Sequence, residues 1–409
     1  MRVSNSARIV FFLQWCIVTQ AYDLTVIGQI KFAASLSRIS LGIIECLKDD
    51  LSINVIPTPG DYDLSDISRE IQNIIIKSDK RPGKVSLLTD VLWHTFDTPA
   101  NYVPESLIKI AYSMIEGSAI PREWVDILNK RFDAVAVPDI FCKDVYVQSG
   151  VKIPIFVIPC GMCSDELFQR PLKAKPNVPF TFGVSAEFVD RKNCTMLIEA
   201  FAREFGSDER VRLRLQGRGG VYAATLKTLI TRYKLTNVEI IEKVLTRKEY
   251  GDFLASLDCY VLLSKGEGFS LTPREAMALG IPCIITNNSA QKTICATGLV
   301  KAVPALIQEQ PYYTCFNKCI GYYLNCKVED AQKAMREVHQ CYDVYLKKAS
   351  TARKWAEQFL YKNLKEQYLT LVKPERVVLS NVNAIEGKVL KTNSPLLYRR
   401  YKTLQKGTV

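Results

Sequence analysis

Ser264-Lys265-Gly266-Glu267-Gly268-Phe269-Ser270-Leu271-Thr272-Pro273-Arg274-Glu275-Ala276-Met277-Ala278-Leu279-Gly280-Ile281-Pro282 lies between two apolar runs, residues 259–263 before it and 282–285 at its end. It reads as strand, glycine loop, helix, glycine stop and strand. Gly266 and Gly268 let the backbone come close to a ligand. Thr272, Pro273 and Glu275 predict the N-cap, first and third positions of a capping box, and Gly280 a C-terminal stop. The amides of Phe269, Ser270 and Leu271 then fall at a helix N-terminus, where an anion is favoured. Glu267 and Glu275 stand eight positions apart. Carboxylates so placed can accept hydrogen bonds from sugar or ribose hydroxyls. The plainer alternatives are a solvated loop acid for Glu267 and a closed capping box for Glu275.

The same alternation extends in both directions. Upstream, residues 180–184, 212–215 and 238–241 read as strands and 195–205, 221–233 and 248–256 as helices. Nearer the start, 8–18, 53–56, 84–88, 133–137 and 153–158 read as strands. Between them come a helix opened by Gly28 and carrying Ile39, Ile43, Ile44 and Leu47, then helices over 66–76, 121–130 and 140–148. Strands alternating with helices predict βαβ units and mostly parallel sheets. The fold class is therefore α/β: two doubly wound, Rossmann-like domains facing a central cleft, with ligands at the carboxyl ends of the strands. The expected divisions are 1–158 for a first domain, 159–179 for a proline-rich linker and 180–345 for a second domain. A helical segment, 346–373, packs back toward the first domain, and a basic tail, 374–409, follows.

Composition bounds the rest. The 409 residues are 48% hydrophobic, which suits two domains. The net charge of +12, from 54 basic and 42 acidic residues, suits an anionic partner. Nucleic acid is not expected, because no dense Lys/Arg block with interleaved aromatics occurs before the tail. The tail carries seven Lys/Arg against two acids. It is read as solvated or packed on the body, with peripheral contact to an anionic membrane as the alternative. Arg2 and Arg8 precede a short apolar run that Gln14 interrupts, so a buried strand is expected there and not a signal peptide. The 13 cysteines are scattered and fit a reducing, cytoplasmic setting. Cys160 with Cys163, and Cys315 with Cys319 and Cys326, lack the further ligands of a zinc site. Asp61-Tyr62-Asp63 reads as a turn. No metal and no cofactor are expected.

The stretch 264–282 resembles the E-x7-E signature of retaining GT-B glycosyltransferases, the large family 4 in particular (glycosyl transferases group 1). It matches at Glu267, Gly268-Phe269, Leu271, Glu275-Ala276-Met277-Ala278, Gly280 and Pro282. It departs at Ser270, usually Gly, and at Thr272-Pro273. Asp190-Arg191-Lys192-Asn193 with the apolar run 196–201 resembles a second family segment, whose lysine contacts the donor diphosphate. Many members carry an arginine five positions earlier; here that position is Glu187, and Arg191 is the substitute. The run 132–161 resembles the family's approach to its linker, and Gly28 stands where members have a glycine loop facing the donor phosphates.

The resemblance implies a metal-independent, retaining transfer of a hexose from a UDP- or GDP-sugar to a lipid, glycan or protein. Glu275 would bind the ribose. Lys192 and Arg191 would hold the diphosphate, and Glu267, Gly268, Phe269, Ser270 and Leu271 the sugar and phosphates, with Glu267 also catalytic. Without a metal, cations and a helix terminus must stabilise the departing diphosphate. His94 is the expected catalytic histidine of the first domain and Asp97 the fallback; His339 reads as surface. The rival reading is a sugar-nucleotide-binding or scaffold protein that has lost catalysis on the same fold.

Overall fold

The computed structural model describes residues 22–30, 35–58, 63–65, 67–79, 81–92, 103–162, 165–218, 220–313 and 316–373. The first sheet contains β1 (Tyr22–Gly28), β2 (Ile53–Pro57), β3 (Gly83–Leu88), β4 (Ile108–Tyr112), β5 (Ala134–Val137) and β6 (Ile155–Val157). Its order is β2-β1-β3-β4-β5-β6, and every pairing is parallel. β5, Ala-Val-Ala-Val, is buried throughout. A strand covered on both faces needs no polar side, which is why its sequence is a continuous apolar run.

The second sheet is built the same way. It contains β7 (Phe180–Ser185), β8 (Val211–Gln216), β9 (Val238–Ile241), β10 (Cys259–Leu262), β11 (Cys283–Asn287) and β12 (Lys301–Glu309). A small hairpin follows, β13 (Tyr312–Tyr313) with β14 (Lys318–Cys319), and then β15 (Tyr323–Cys326). The order is β15-β12-β11-β10-β7-β8-β9. Among the described strands of this sheet only β15 joins antiparallel, against β12. β7 lies between β10 and β8, so strand order reverses beside it. At such a switch point the loops leave to opposite faces and a crevice opens over the carboxyl ends.

Some elements differ from the sequence reading, and one is untested. The expected strand over 8–18 lies outside the described residues, and the first described strand is β1. Leu24, Val26 and Ile27 are its inward side chains; Tyr22, Asp23 and Thr25 interrupt the apolar pattern that would have marked it. Gly28 ends that strand, and the helix expected to open there runs over Ser35–Leu47, with Ile39, Ile43, Ile44 and Leu47 buried. β4 and β12 to β15 were not marked by the pattern. β12 has only Val303 and Ala305 buried and carries Pro304, which demotes a run read from sequence.

The last described helix, Tyr361–Leu371, packs on the first domain. The Tyr361 hydroxyl donates to the Ile39 carbonyl at 3.2 Å, and the Tyr368 hydroxyl to the Pro159 carbonyl at 2.7 Å. The Tyr361 ring fills the space that side chains at Gly42 and Gly161 would need, with ring carbons 1.9 and 2.5 Å from the Cβ positions. Burial of Tyr361, Leu364, Tyr368 and Leu371 stabilises this docking by about 1.5–3 kcal/mol per large apolar side chain.

His339 is not on open surface. It sits on the helix Val328–Gln340 with its ring edge-on to Phe180 at 4.9 Å and Phe205 at 5.4 Å. Burial lowers its pKa below 6.5; Asp208 and Glu204 oppose that shift and Arg210 adds to it. With the folded-state pKa depressed, the contribution to stability is complete above pH 6.5 and is lost as pH falls through the folded value. The urea midpoint is therefore expected to drop between pH 7.5 and 5.5. His339→Gln should flatten that drop, and an unchanged slope would remove His339 as its source.

Candidate active site

At the carboxyl ends of β7, β8 and β9 lies a cavity of ≈ 210 Å³. Ser185, Gln216 and Gly217 form its floor at the strand ends, with Lys243, Val244 and Leu245 at one side. Arg38, Arg191, Lys192 and Arg218 also line it, so with Lys243 five cations face, among the described residues, a single lining carboxylate, Glu187. Glu187 stands 3.7 Å from Arg218. An anionic ligand is the electrostatic complement of such a cavity.

Lys192 is presented by a 3-10 turn, Asp190–Lys192. The turn is anchored by Asn193, whose amide nitrogen donates to the Leu263 carbonyl at 3.1 Å and to Asn325 at 2.8 Å. Lys192 Nζ then meets Glu267 Oε1 at 2.6 Å. Arg191 forms a fork: 3.3 Å to Glu267, 2.8 Å to the Gly266 carbonyl and 3.1 Å to Glu116 of the first domain. Lys265 is likewise spoken for, by Asp190 and Glu309. Glu267 is buried, its backbone N–H donates to Ser289 Oγ at 2.8 Å, and its carbonyl accepts from Ala290 at 3.2 Å. Burial alone would raise its pKa. The charges of Lys192 and Arg191 and hydrogen bonds from Lys192 and Ser264 outweigh that, and the carboxyl is held below its ordinary value. Glu267 is therefore a fixed, ionised group and not a solvated loop acid.

Glu275 is 1% exposed. One carboxylate oxygen accepts from Arg38 Nη1 at 2.8 Å and the other from the Tyr250 hydroxyl at 2.6 Å. The capping box expected around it does not form. Ser270 takes a left-handed conformation, φ 62 and ψ 65, and the helix begins at Leu271. Starting there, it places Glu275 at its fifth residue, too far along to reach back to a cap. Thr272 instead accepts from the Tyr260 hydroxyl at 2.8 Å. Pro273 becomes the third helical residue, where a missing N–H still costs no intrahelical bond.

Ser270 combines that positive φ with a buried hydroxyl that finds no hydrogen-bond partner among the described residues. Both features disfavour serine, and the entropic cost of glycine in the unfolded chain offsets only part of the gain. Ser270→Gly is expected to stabilise the protein by about 1 kcal/mol. A lower denaturant midpoint would contradict this.

The remaining candidates divide. Gly268 packs against Met114, whose side-chain atoms lie 3.0–3.2 Å from where its Cβ would be. Its carbonyl accepts from Cys142 Sγ at 3.3 Å. Phe269 turns inward under Arg274, 3.8 Å from guanidinium carbon to ring centroid, and Leu271 opens the helix. Gly28 does not line the cavity: it packs on Thr89 and Ser40, whose hydroxyls lie 2.3 and 2.5 Å from where a Cβ would be. His94, Asp97, Asp61, Cys163 and Cys315 lie outside the described residues, as does 374–409. Among the described residues, no group of three or more His, Cys, Asp or Glu is placed to hold a metal, and no helix is long and apolar enough to cross a membrane.

Sequence reasoning missed Arg38, Glu116 and Tyr250, which no motif marks. It also missed Asp90, a buried carboxylate just past β3 that accepts from Gln29 at 3.0 Å and Thr58 at 2.5 Å. A carboxylate directly after an apolar strand was the one signal available for it.

Residues 165–306 match the family model described as glycosyl transferases group 1. A protein of Sulfolobus islandicus filamentous virus (isolate Iceland/Hveragerdi), provisionally named glycosyltransferase 45, is 22% identical over 225 residues. That match covers 54% of this chain and 60% of the viral protein, so the chain spans less than two thirds of this relative. Among solved structures, HepE of Anabaena in complex with UDP and glucose aligns with a TM-score of 0.58 at 13% identity, covering 85% of this chain and 99% of the other. Sucrose-phosphate synthase from Thermosynechococcus elongatus aligns at 0.59 and 15%, covering 85% and 98%. WaaG, a glycosyltransferase of lipopolysaccharide biosynthesis, aligns at 0.59 and 12%, covering 86% and 99%. Residues 165–306 thus match the glycosyl transferases group 1 model within a chain whose two Rossmann-like domains have the GT-B fold.

Proposed function

We propose that the protein is a metal-independent, retaining hexosyltransferase. It takes a hexose from a UDP- or GDP-sugar and passes it to an acceptor, a lipid, glycan or protein, held by the first domain. The observation that carries this reading is the buried, ionised Glu267 gripped by Lys192 and Arg191 at the edge of a cationic cavity. In the reaction the bond between the sugar's anomeric carbon and the diphosphate breaks, and the diphosphate keeps the electron pair. The acceptor hydroxyl oxygen bonds to that carbon, and its proton passes to the departing diphosphate oxygen. Negative charge therefore grows on the diphosphate, where Lys192 and Arg191 stand ready without reorganising. Glu267 faces the developing positive charge of the sugar, and Glu275 takes the ribose. His94, or Asp97 in its place, serves as the polar group of the first domain. Uridine is favoured as base because HepE is complexed with UDP and glucose. A cytoplasmic setting completes the proposal, with peripheral contact of the basic segment 374–409 to an anionic membrane as the alternative to a solvated tail.

The test is nucleotide release in EDTA from a panel of UDP-, GDP- and ADP-sugars without acceptor. Release from one UDP- or GDP-sugar is expected. Release from none, with the bare nucleotide still bound in a titration, would favour a binding protein instead.

A further inference from the structure

On the proposed reading the second domain offers the donor diphosphate two cations, Lys192 and Arg191, which line the cavity beside Glu187. Arg191 is shared between Glu116, Glu267 and the Gly266 carbonyl. The first domain supplies another. Arg38 lies in the first turn of the helix Ser35–Leu47, crosses the cleft and lines the cavity. Its guanidinium stands 5.5 Å from the Tyr250 ring centroid and ends 2.8 Å from Glu275. A cation in the first turn of a helix sits beside the positive end of the helix dipole, a position that an added anion relieves. Guanidinium also matches a phosphate's oxygens in a bidentate fork.

We propose that Arg38 is a diphosphate-binding residue supplied across the cleft. When a nucleoside diphosphate enters, the guanidinium leaves Glu275 for the phosphate oxygens, and the carboxylate oxygen it vacates accepts a ribose hydroxyl. Donor binding thereby exchanges one interdomain ion pair for a bridge through the ligand. This rests on the reading of the cavity as a sugar-nucleotide site.

The test uses calorimetric titration of the full chain with UDP, GDP and ADP and with the matching nucleosides. For the base the parent protein prefers, Arg38→Ala should weaken the diphosphate about 10–100-fold, the value of one charged hydrogen-bonded contact, and change nucleoside affinity less than about threefold. Arg38→Lys, which keeps the charge, should recover part of the loss and guards against a folding defect. Equal diphosphate affinity in parent and Arg38→Ala, or equal weakening of diphosphate and nucleoside, overturns the assignment while leaving the site itself standing. A parent protein that binds none of the nucleotides overturns the reading of the site, and this inference with it.

Discussion

Replacing Lys192 by alanine is expected to lower turnover by about 10²–10³, the usual cost of removing one donor aimed at charge that develops in the transition state. The ammonium is held 2.6 Å from Glu267 by a turn that Asn193 ties to the strand beneath, so it is in place before the ligand arrives. A charge that strengthens its interaction only as the diphosphate leaves acts mainly on kcat and less on KM. The protein should still fold, because the Lys192 side chain is 17% exposed and Arg191 remains 3.3 Å from Glu267. A pH titration adds an independent readout. With its nearest cation gone, Glu267 is released toward a higher pKa, and the acid limb of the activity profile should move up. A folded Lys192→Ala protein with unchanged kcat would remove the diphosphate assignment.

Gly266→Ala is expected to damage both stability and activity. A Cβ at this position would lie 2.3 Å from the Glu116 carbonyl oxygen and 3.1 Å from both its carbonyl carbon and the Tyr323 ring. Two of those atoms are backbone of the first domain and cannot swing aside. The glycine's own carbonyl is also fixed, by Arg191 at 2.8 Å and Ser264 at 2.9 Å. Relief must come from parting the domains or displacing the loop that carries Glu267. Overpacking of this kind costs about 1–3 kcal/mol, and a displacement of the neighbouring carboxylate should lower turnover further than the stability loss explains. Gly251→Ala is the informative contrast. There the neighbour is the end of the Arg170 side chain, at 3.0 Å, which can move, and the site is helical, so alanine should be tolerated or favoured. A Gly266→Ala protein with the parent's denaturant midpoint would show that the two domains do not meet as described.

Much of this arrangement was legible in the sequence because it is local. Buried parallel strands such as Ala134–Val137 and Cys259–Leu262 are apolar runs between turn signals, and Gly266, Gly268 and Gly280 punctuate the second sheet's central turn. The direction of Glu275 was not legible. It depended on where the helix starts, and that was decided by the left-handed Ser270, a conformation the residue type argues against. Glu275's partners were hidden for a different reason. Arg38 lies 237 positions away, and nothing in an amphipathic helix says that one of its cations will cross a cleft. Glu116 and Tyr323 became neighbours of the motif only through the packing of two domains, which leaves no periodicity to read.

The most direct test is diffraction from crystals grown with the nucleoside diphosphate that the release assay selects. The β-phosphate should lie within hydrogen-bond reach of Lys192 Nζ, with the ribose hydroxyls on the Glu275 carboxylate at the carboxyl ends of β7 and β8. A nucleotide bound elsewhere, with Lys192 and Glu275 keeping only their present partners, would contradict the account.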